Sequence, residues 1–190
     1  DVCSLISNQV YEGRLESDSS ALKHVIETSG PLIKRQSGIC FIPVEHEGNT
    51  QGSDEEVELI TSIAKELLGS CFWAKTGGTE KRELGWNDVL FVAPYNYQVN
   101  LLRKALGAHA KVGSVDLFQG QEAPVVVISM CSSDASESPR GIEFLFSKNR
   151  MNVALSRAQA LAVVVGSPSL GQTQVNSIEQ MSLVNLFNKI

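Results

Sequence analysis

Pro124-Val-Val-Val-Ile-Ser-Met130 decides the fold. The run is apolar and β-branched, and it does not alternate with polar residues. Such a strand has no face for water, so it belongs inside a sheet covered on both sides. Asp88-Val-Leu-Phe-Val-Ala-Pro94, ended by a proline, and Ala160-Leu-Ala-Val-Val-Val165 read the same way. Gly38-Ile-Cys-Phe-Ile-Pro-Val44 and the segment from Val112 to Val115 add two shorter strands.

Helical spacing fills the intervals. Ser53-Asp54-Glu55-Glu56 reads as a capping box, with Ser53 as the cap and Glu56 reaching back. Behind it Val57, Ile60, Ile63, Ala64, Leu67 and Leu68 share one face. Tyr95 to Leu106 is a second helix, with Val99, Leu102 and Leu106 inward. Phe146 to Ala158 is a third, and Ile178 to Lys189 a fourth. Ser167 before Pro168 is a further helix start. Val2, Leu5, Ile6 and Val10 at the start of the chain are also at helical spacing. Residues 17 to 36 give no strong period and read as irregular surface chain, with room for a short helix. Lys75 to Asn87 reads as a charged, Gly-containing loop, and Cys131 to Gly141 as a Ser-rich loop. Strands without alternation, separated by helices, predict an α/β fold with a parallel sheet and helices on both faces. The expected division is residues 1–36, a helical or irregular segment, and 37–190, the sheet domain.

With 190 residues, 43% of them hydrophobic and 19% charged, the chain can bury a core of its own. Sixteen Lys and Arg against twenty-one Asp and Glu give a net charge of −5, which excludes a histone-like or tail-driven nucleic-acid binder. Cys3, Cys40, Cys71 and Cys131 are widely separated, and His24, His46 and His109 are scattered. They read as free thiols in a reducing, intracellular setting, with no metal site. No apolar run reaches the length of a membrane span, and no signal peptide is visible. The chain begins at Asp1 in what reads as mid-helix, so a longer parent protein is expected.

Open parallel sheets hold ligands beyond the carboxyl ends of their strands. Ala93-Pro-Tyr-Asn-Tyr-Gln98 follows one strand. Asp116-Leu-Phe-Gln-Gly-Gln-Glu122 follows another. Asn149-Arg-Met-Asn-Val-Ala-Leu-Ser-Arg157 precedes the last. Asn96, Gln98, Gln119, Arg150 and Arg157 are thereby expected to cluster at element ends, with chemistry suited to phosphate. Asp54-Glu55-Glu56 follows a polar loop rather than an apolar strand, which favours a helix start over a magnesium-binding acidic motif. The chain has no G-x-x-x-x-G-K-[ST] phosphate loop and no G-x-S-x-G elbow.

Val92 to Leu102, Val112 to Met130 and Asn149 to Ala158 resemble, in order and spacing, motifs IV, V and VI of superfamily 1 helicases. The branch is that of the nonsense-mediated-decay RNA helicase and the replication nuclease-helicases. The opening DVCSLISNQVYEGRL resembles the segment after that family's Q-Y-R-M-H-P motif. The resemblance implies a RecA-like second motor domain of the P-loop NTPase fold, lacking the phosphate loop itself. It implies ATP with Mg2+ as cofactor, the metal ligands lying on a first motor domain that would be this chain's intramolecular partner. Arg157 is implied as the arginine finger. Gln119, Gly120 and Glu122 are implied beside the nucleotide, and Tyr95, Asn96, Gln98, Ser114 and Asp116 along single-stranded DNA or RNA. The chain alone is expected to be inactive, and no membrane partner is expected. The alternative reading is a non-catalytic nucleic-acid or protein-binding module on the same fold.

Overall fold

The computed structural model describes residues 24–74 and 80–189. The expected amino-terminal helix lies outside the described residues. In chain order the elements are β1 (His24–Glu27), β2 (Gly38–Pro43), α1 (Asp54–Leu68), β3 (Cys71–Ala74), β4 (Glu80–Glu83), β5 (Val89–Val92), α2 (Asn96–Leu106), β6 (Lys111–Gly113), β7 (Ala123–Ser129), α3 (Ile142–Leu145), α4 (Lys148–Ser156), β8 (Ala158–Gly166) and α5 (Ile178–Phe187). Short 3₁₀ turns at Trp86–Asp88, Val115–Phe118 and Pro168–Gln172 join them.

Five strands form one parallel sheet in the order β2-β8-β7-β5-β6. The chain is an α/β domain of the RecA-like type. The central strands are buried on both faces, as their unbroken apolar composition requires. Successive side chains alternate between two cores. Val126, Ile128, Ala162 and Val164 pack under α4 and α5, against Met151, Ala154, Leu183 and Phe187. Val125, Val127, Leu161 and Val163 pack under α1 and α2, against Ile60, Ile63, Val99 and Leu102. The alternation slips once. Between Ala123 and Val125 the register with β8 shifts, at Pro124, which has no N–H to give to a ladder.

A second sheet departs from expectation. β1, β3 and β4 pair antiparallel in the order β1-β3-β4. β1 lies in the stretch expected to be irregular, and β4 in the stretch expected to be a loop. Ile26 of β1 and Phe72 of β3 join the core beneath α1. β4 is Glu-Lys-Arg-Glu, with no apolar residue to announce it. Charge pairing holds it instead. Lys81 reaches Glu27 at 2.8 Å, and Arg82 grips both oxygens of Asp88 at 2.8 and 2.7 Å.

The Arg82 guanidinium holds the Asp88 carboxyl below the usual aspartate range. A lowered folded-state pKa gives stability that is present above the unfolded pKa and is lost as pH falls through the folded one. Arg82 is half exposed, so solvent screening leaves the pair worth about 0.5–1 kcal/mol. Asp88→Asn is therefore expected to lower stability by that amount at neutral pH and by almost nothing at about pH 2, where the parent carboxyl is protonated too. Urea unfolding at the two pH values measures it. An equal loss at both would assign the effect to the Gly85 N–H bond that Asp88 also accepts.

Candidate nucleic-acid and nucleotide sites

Pro94 stops β5 and hands the chain to α2, whose N-cap is Tyr95. Beyond the carboxyl ends of β5, β6 and β7 lies a cleft of about 420 Å³. Tyr95, Asn96, Ser114 and Asp116 line it, so four of the five residues expected along a strand meet there. Asn96 and Asp116 are exposed. The Tyr95 ring is largely buried, with its hydroxyl bonded to Ser138 Oγ and its centroid 5.2 Å from that of Phe144.

Gln98 is the exception. It is fully buried and does not reach the cleft wall. Its Oε1 accepts from Ser53 N at 2.9 Å, and its Nε2 donates to Ser129 Oγ at 2.9 Å and to Ser53 O at 3.3 Å. Gln98 pins α2 to the start of α1 and to the end of β7; it offers nothing to a strand.

Under the cleft floor this bond continues into a buried polar cluster. Ser129 Oγ donates to Glu56 Oε2 at 2.5 Å, and Cys131 N donates to Glu56 Oε1 at 2.9 Å. His46 Nε2 lies 3.0 Å from Glu56 Oε1, and His46 Nδ1 lies 2.7 Å from Ser133 Oγ. Ser133 Oγ also accepts from Asn49 N at 3.0 Å. The expected capping box is thus half made. Ser53 Oγ accepts from Glu56 N at 3.1 Å, but the Glu56 carboxylate turns inward and Gln98 takes its place at Ser53 N. Cys131 stands at φ +51°, in the left-handed region. Its N–H bond to Glu56 is what holds that turn. Burial, with Glu56 alongside, pushes the Cys131 thiol far up and leaves it inert. Among the described residues Cys40, Cys71 and Cys131 are all free thiols.

The cleft is also lined by Arg150, expected at an element end, and by Arg140 and Phe144, which motif reading passed over. Arg140 and Arg150 stack on the Phe144 ring, their guanidinium carbons 4.6 and 4.1 Å from its centroid. The carboxylate near them is Asp116, 3.8 Å from Arg150 and mostly exposed. Arg140 and Phe144 sit in a loop and a one-turn helix, where periodicity gives no signal. Their nearness to Arg150 comes from the fold alone.

The residues expected beside a nucleotide do not line this cleft, so the cluster expected at element ends divides in two. After β6 the chain descends through Val115–Phe118 to the opposite edge of the sheet. Gln119, Gly120 and Glu122 stand there, exposed, at the entry to β7. Gly120 has φ +81° and open space around it. Ala123 N donates to Arg157 O at 3.0 Å, which ties the entry of β7 to the entry of β8. Arg157 therefore joins Gln119, Gly120 and Glu122 at the amino edge. Its Nε donates to Val153 O at 3.2 Å. Among the described residues no carboxylate lies within 4.0 Å of its guanidinium. Arg150 lies in the first turn of α4 and Arg157 is its C-cap, about 10 Å apart along the axis.

Residues 1–169 match the AAA domain family. The chain belongs to this family. Its relatives include mov-10-B.1 of Danio rerio, 37% identical over 62% of this chain, and the DNA-binding protein SMUBP-2 of Rattus norvegicus, 29% identical over 84%. The DNA polymerase alpha-associated DNA helicase A of Schizosaccharomyces pombe is 38% identical over 42% of the chain. The chain spans only 13%, 16% and 12% of the length of these relatives. With motifs IV, V and VI in place, this AAA domain is the C-terminal domain of a superfamily 1 helicase, in the branch named above. No helix of its described residues is long and apolar enough to cross a membrane.

Proposed function

We propose that this domain is the second motor half of an ATP-dependent helicase acting on single-stranded DNA or RNA. The observation that carries the reading is α4. One helix has Arg150 at the cleft, beside Asn96, Ser114 and Asp116, and Arg157 at the opposite edge, beside Gln119, Gly120 and Glu122. A rigid rod with a phosphate-seeking guanidinium at each end suits a device that links hydrolysis to grip on a strand.

The donor set at the amino edge fits the phosphate end of a nucleotide. Arg157 is anchored through Nε, and its charge has no carboxylate partner among the described residues. Gly120 presents bare backbone in open space, and Glu122 is an exposed acceptor suited to sugar hydroxyls. ATP bound with Mg2+ between this domain and the first motor domain would supply the transferable phosphoryl group. Arg157 then offsets the charge that builds on the phosphoryl oxygens. The Mg2+ ligands and phosphate loop belong to the first domain. Closure of the two halves around the nucleotide would shift the strand over the cleft.

The isolated chain is expected to release phosphate from ATP at background rate, with or without single strands, because it has no phosphate loop. A malachite-green assay on the purified chain measures this. Strand-stimulated turnover that persists through further purification would contradict the division of labour proposed here.

A further inference from the structure

We propose that Tyr97 is a base-stacking platform in the cleft, paired with a phosphate clamp formed by Arg140 and Arg150. The proposal rests on the strand-binding reading above and assigns two parts of that site. Tyr97 sits in the first turn of α2 and is 61% exposed, which is unusual for a large aromatic side chain. The Cδ1–Cε1 edge of its ring lies against Gly52. A Cβ added at Gly52 would stand 2.5 Å from Tyr97 Cδ1 and 2.7 Å from Cε1, closer than atoms can approach. The glycine is thus what allows the ring to lie on the backbone. The next residue, Gln98, fixes that backbone through its bonds to Ser53 N and Ser53 O. The result is an aromatic ring held along one edge by the backbone and otherwise largely exposed, on the rim of the cleft.

The two arginines that line the same cleft select the ligand. Arg140 and Arg150 stack on Phe144 and bring two positive charges, against which Asp116 sets one exposed negative charge. A peptide or a neutral ligand would gain little from that excess. A nucleotide unit of a single strand answers both features, with its base on Tyr97 and its phosphate at the guanidiniums. Stacking of this kind tolerates any base. It also explains why an aromatic residue is tolerated at an exposed position in the first turn of a helix.

The test uses the intact polypeptide that carries this chain and two labelled strands of equal length, an oligothymidylate and its abasic sugar–phosphate counterpart. Tyr97→Ala is expected to weaken oligothymidylate binding about tenfold and to leave abasic binding unchanged. Tyr97→Phe should bind both strands as the parent does. Gly52→Ala should follow Tyr97→Ala, because the new methyl group displaces the ring. Arg140→Ala should weaken both strands alike and reduce the salt slope by about one phosphate contact. Thymidine monophosphate should compete only weakly, which separates a strand site from a site for free nucleotide. Parent-like binding of both strands by Tyr97→Ala would overturn the platform while leaving the strand reading in place, and so would equal loss of both strands. Failure of the parent to bind either strand would overturn the strand reading, and the platform with it.

Discussion

Glu56→Ala is expected to destabilise the fold by about 3–5 kcal/mol, the scale of an opened buried charge network. Glu56 is completely buried, and three donors converge on its carboxylate: Ser129 Oγ, Cys131 N and His46 Nε2. Alanine leaves all three without an acceptor, and each such group costs about 1–3 kcal/mol. It also frees Cys131 from the bond that holds its left-handed turn. Glu56→Gln should cost far less, about 1 kcal/mol. The amide oxygen can keep the two donors now on Oε1, and the amide nitrogen can face the Ser129 hydroxyl, which is able to accept. Urea unfolding of the three proteins measures the difference. Equal, small losses for Ala and Gln would mean that water satisfies the cluster and that it adds little to the fold. The consequence for function runs through Gln98 and Ser129, which tie the cluster to the first turn of α2 and so to the cleft wall.

Arg157→Ala is expected to lower strand-stimulated ATP turnover of the intact polypeptide by roughly 10³-fold or more, the scale at which arginine fingers act. The fold should be hardly affected. Arg157 contributes to structure mainly through its main chain, whose carbonyl accepts from Ala123 N and is unchanged by the substitution. Its side chain adds a bond to Val153 O and no ion pair among the described residues. A structural arginine would show the reverse pattern, with lowered stability and near-normal turnover. Arg157→Lys should recover little, since a point charge does not reproduce the planar fork. Arg150→Ala offers the internal contrast. It lies on the same helix but at the cleft, so its loss should weaken strand binding before it lowers the turnover of strand-saturated protein.

The central sheet was legible because its strands are buried on both faces and carry apolar runs that nothing else explains. β5, β7 and β8 follow those runs within a residue or two. The small sheet was not legible. Its strands are four residues each, too short for a period, and β4 is held by cross-strand charge rather than by burial. Ser53 marks the start of α1, but the destination of Glu56 is hidden from local pattern, since its partners Ser129 and Cys131 lie 73 and 75 residues away. Motif residues fared in the same way. Tyr95, Asn96, Ser114 and Asp116 meet in one cleft, as their places after strand ends imply. Gln98 turns inward because the third residue past the N-cap of α2 faces the core side of the helix. Arg140, Phe144 and Tyr97 carry no local pattern, and the pairing of Arg150 with the cleft rather than with Arg157 depends on the direction in which α4 crosses the sheet.

In the proposed motor the two ends of α4 serve different ligands, with Arg157 at the nucleotide. The most direct test is kcat for strand-stimulated ATP hydrolysis by the intact Arg157→Ala protein, measured at saturating strand beside a thermal melt of the same preparation. A parent-like melt and a kcat reduced by roughly 10³-fold or more are expected. A parent-like melt with near-normal kcat would remove Arg157 from the reaction and contradict the account.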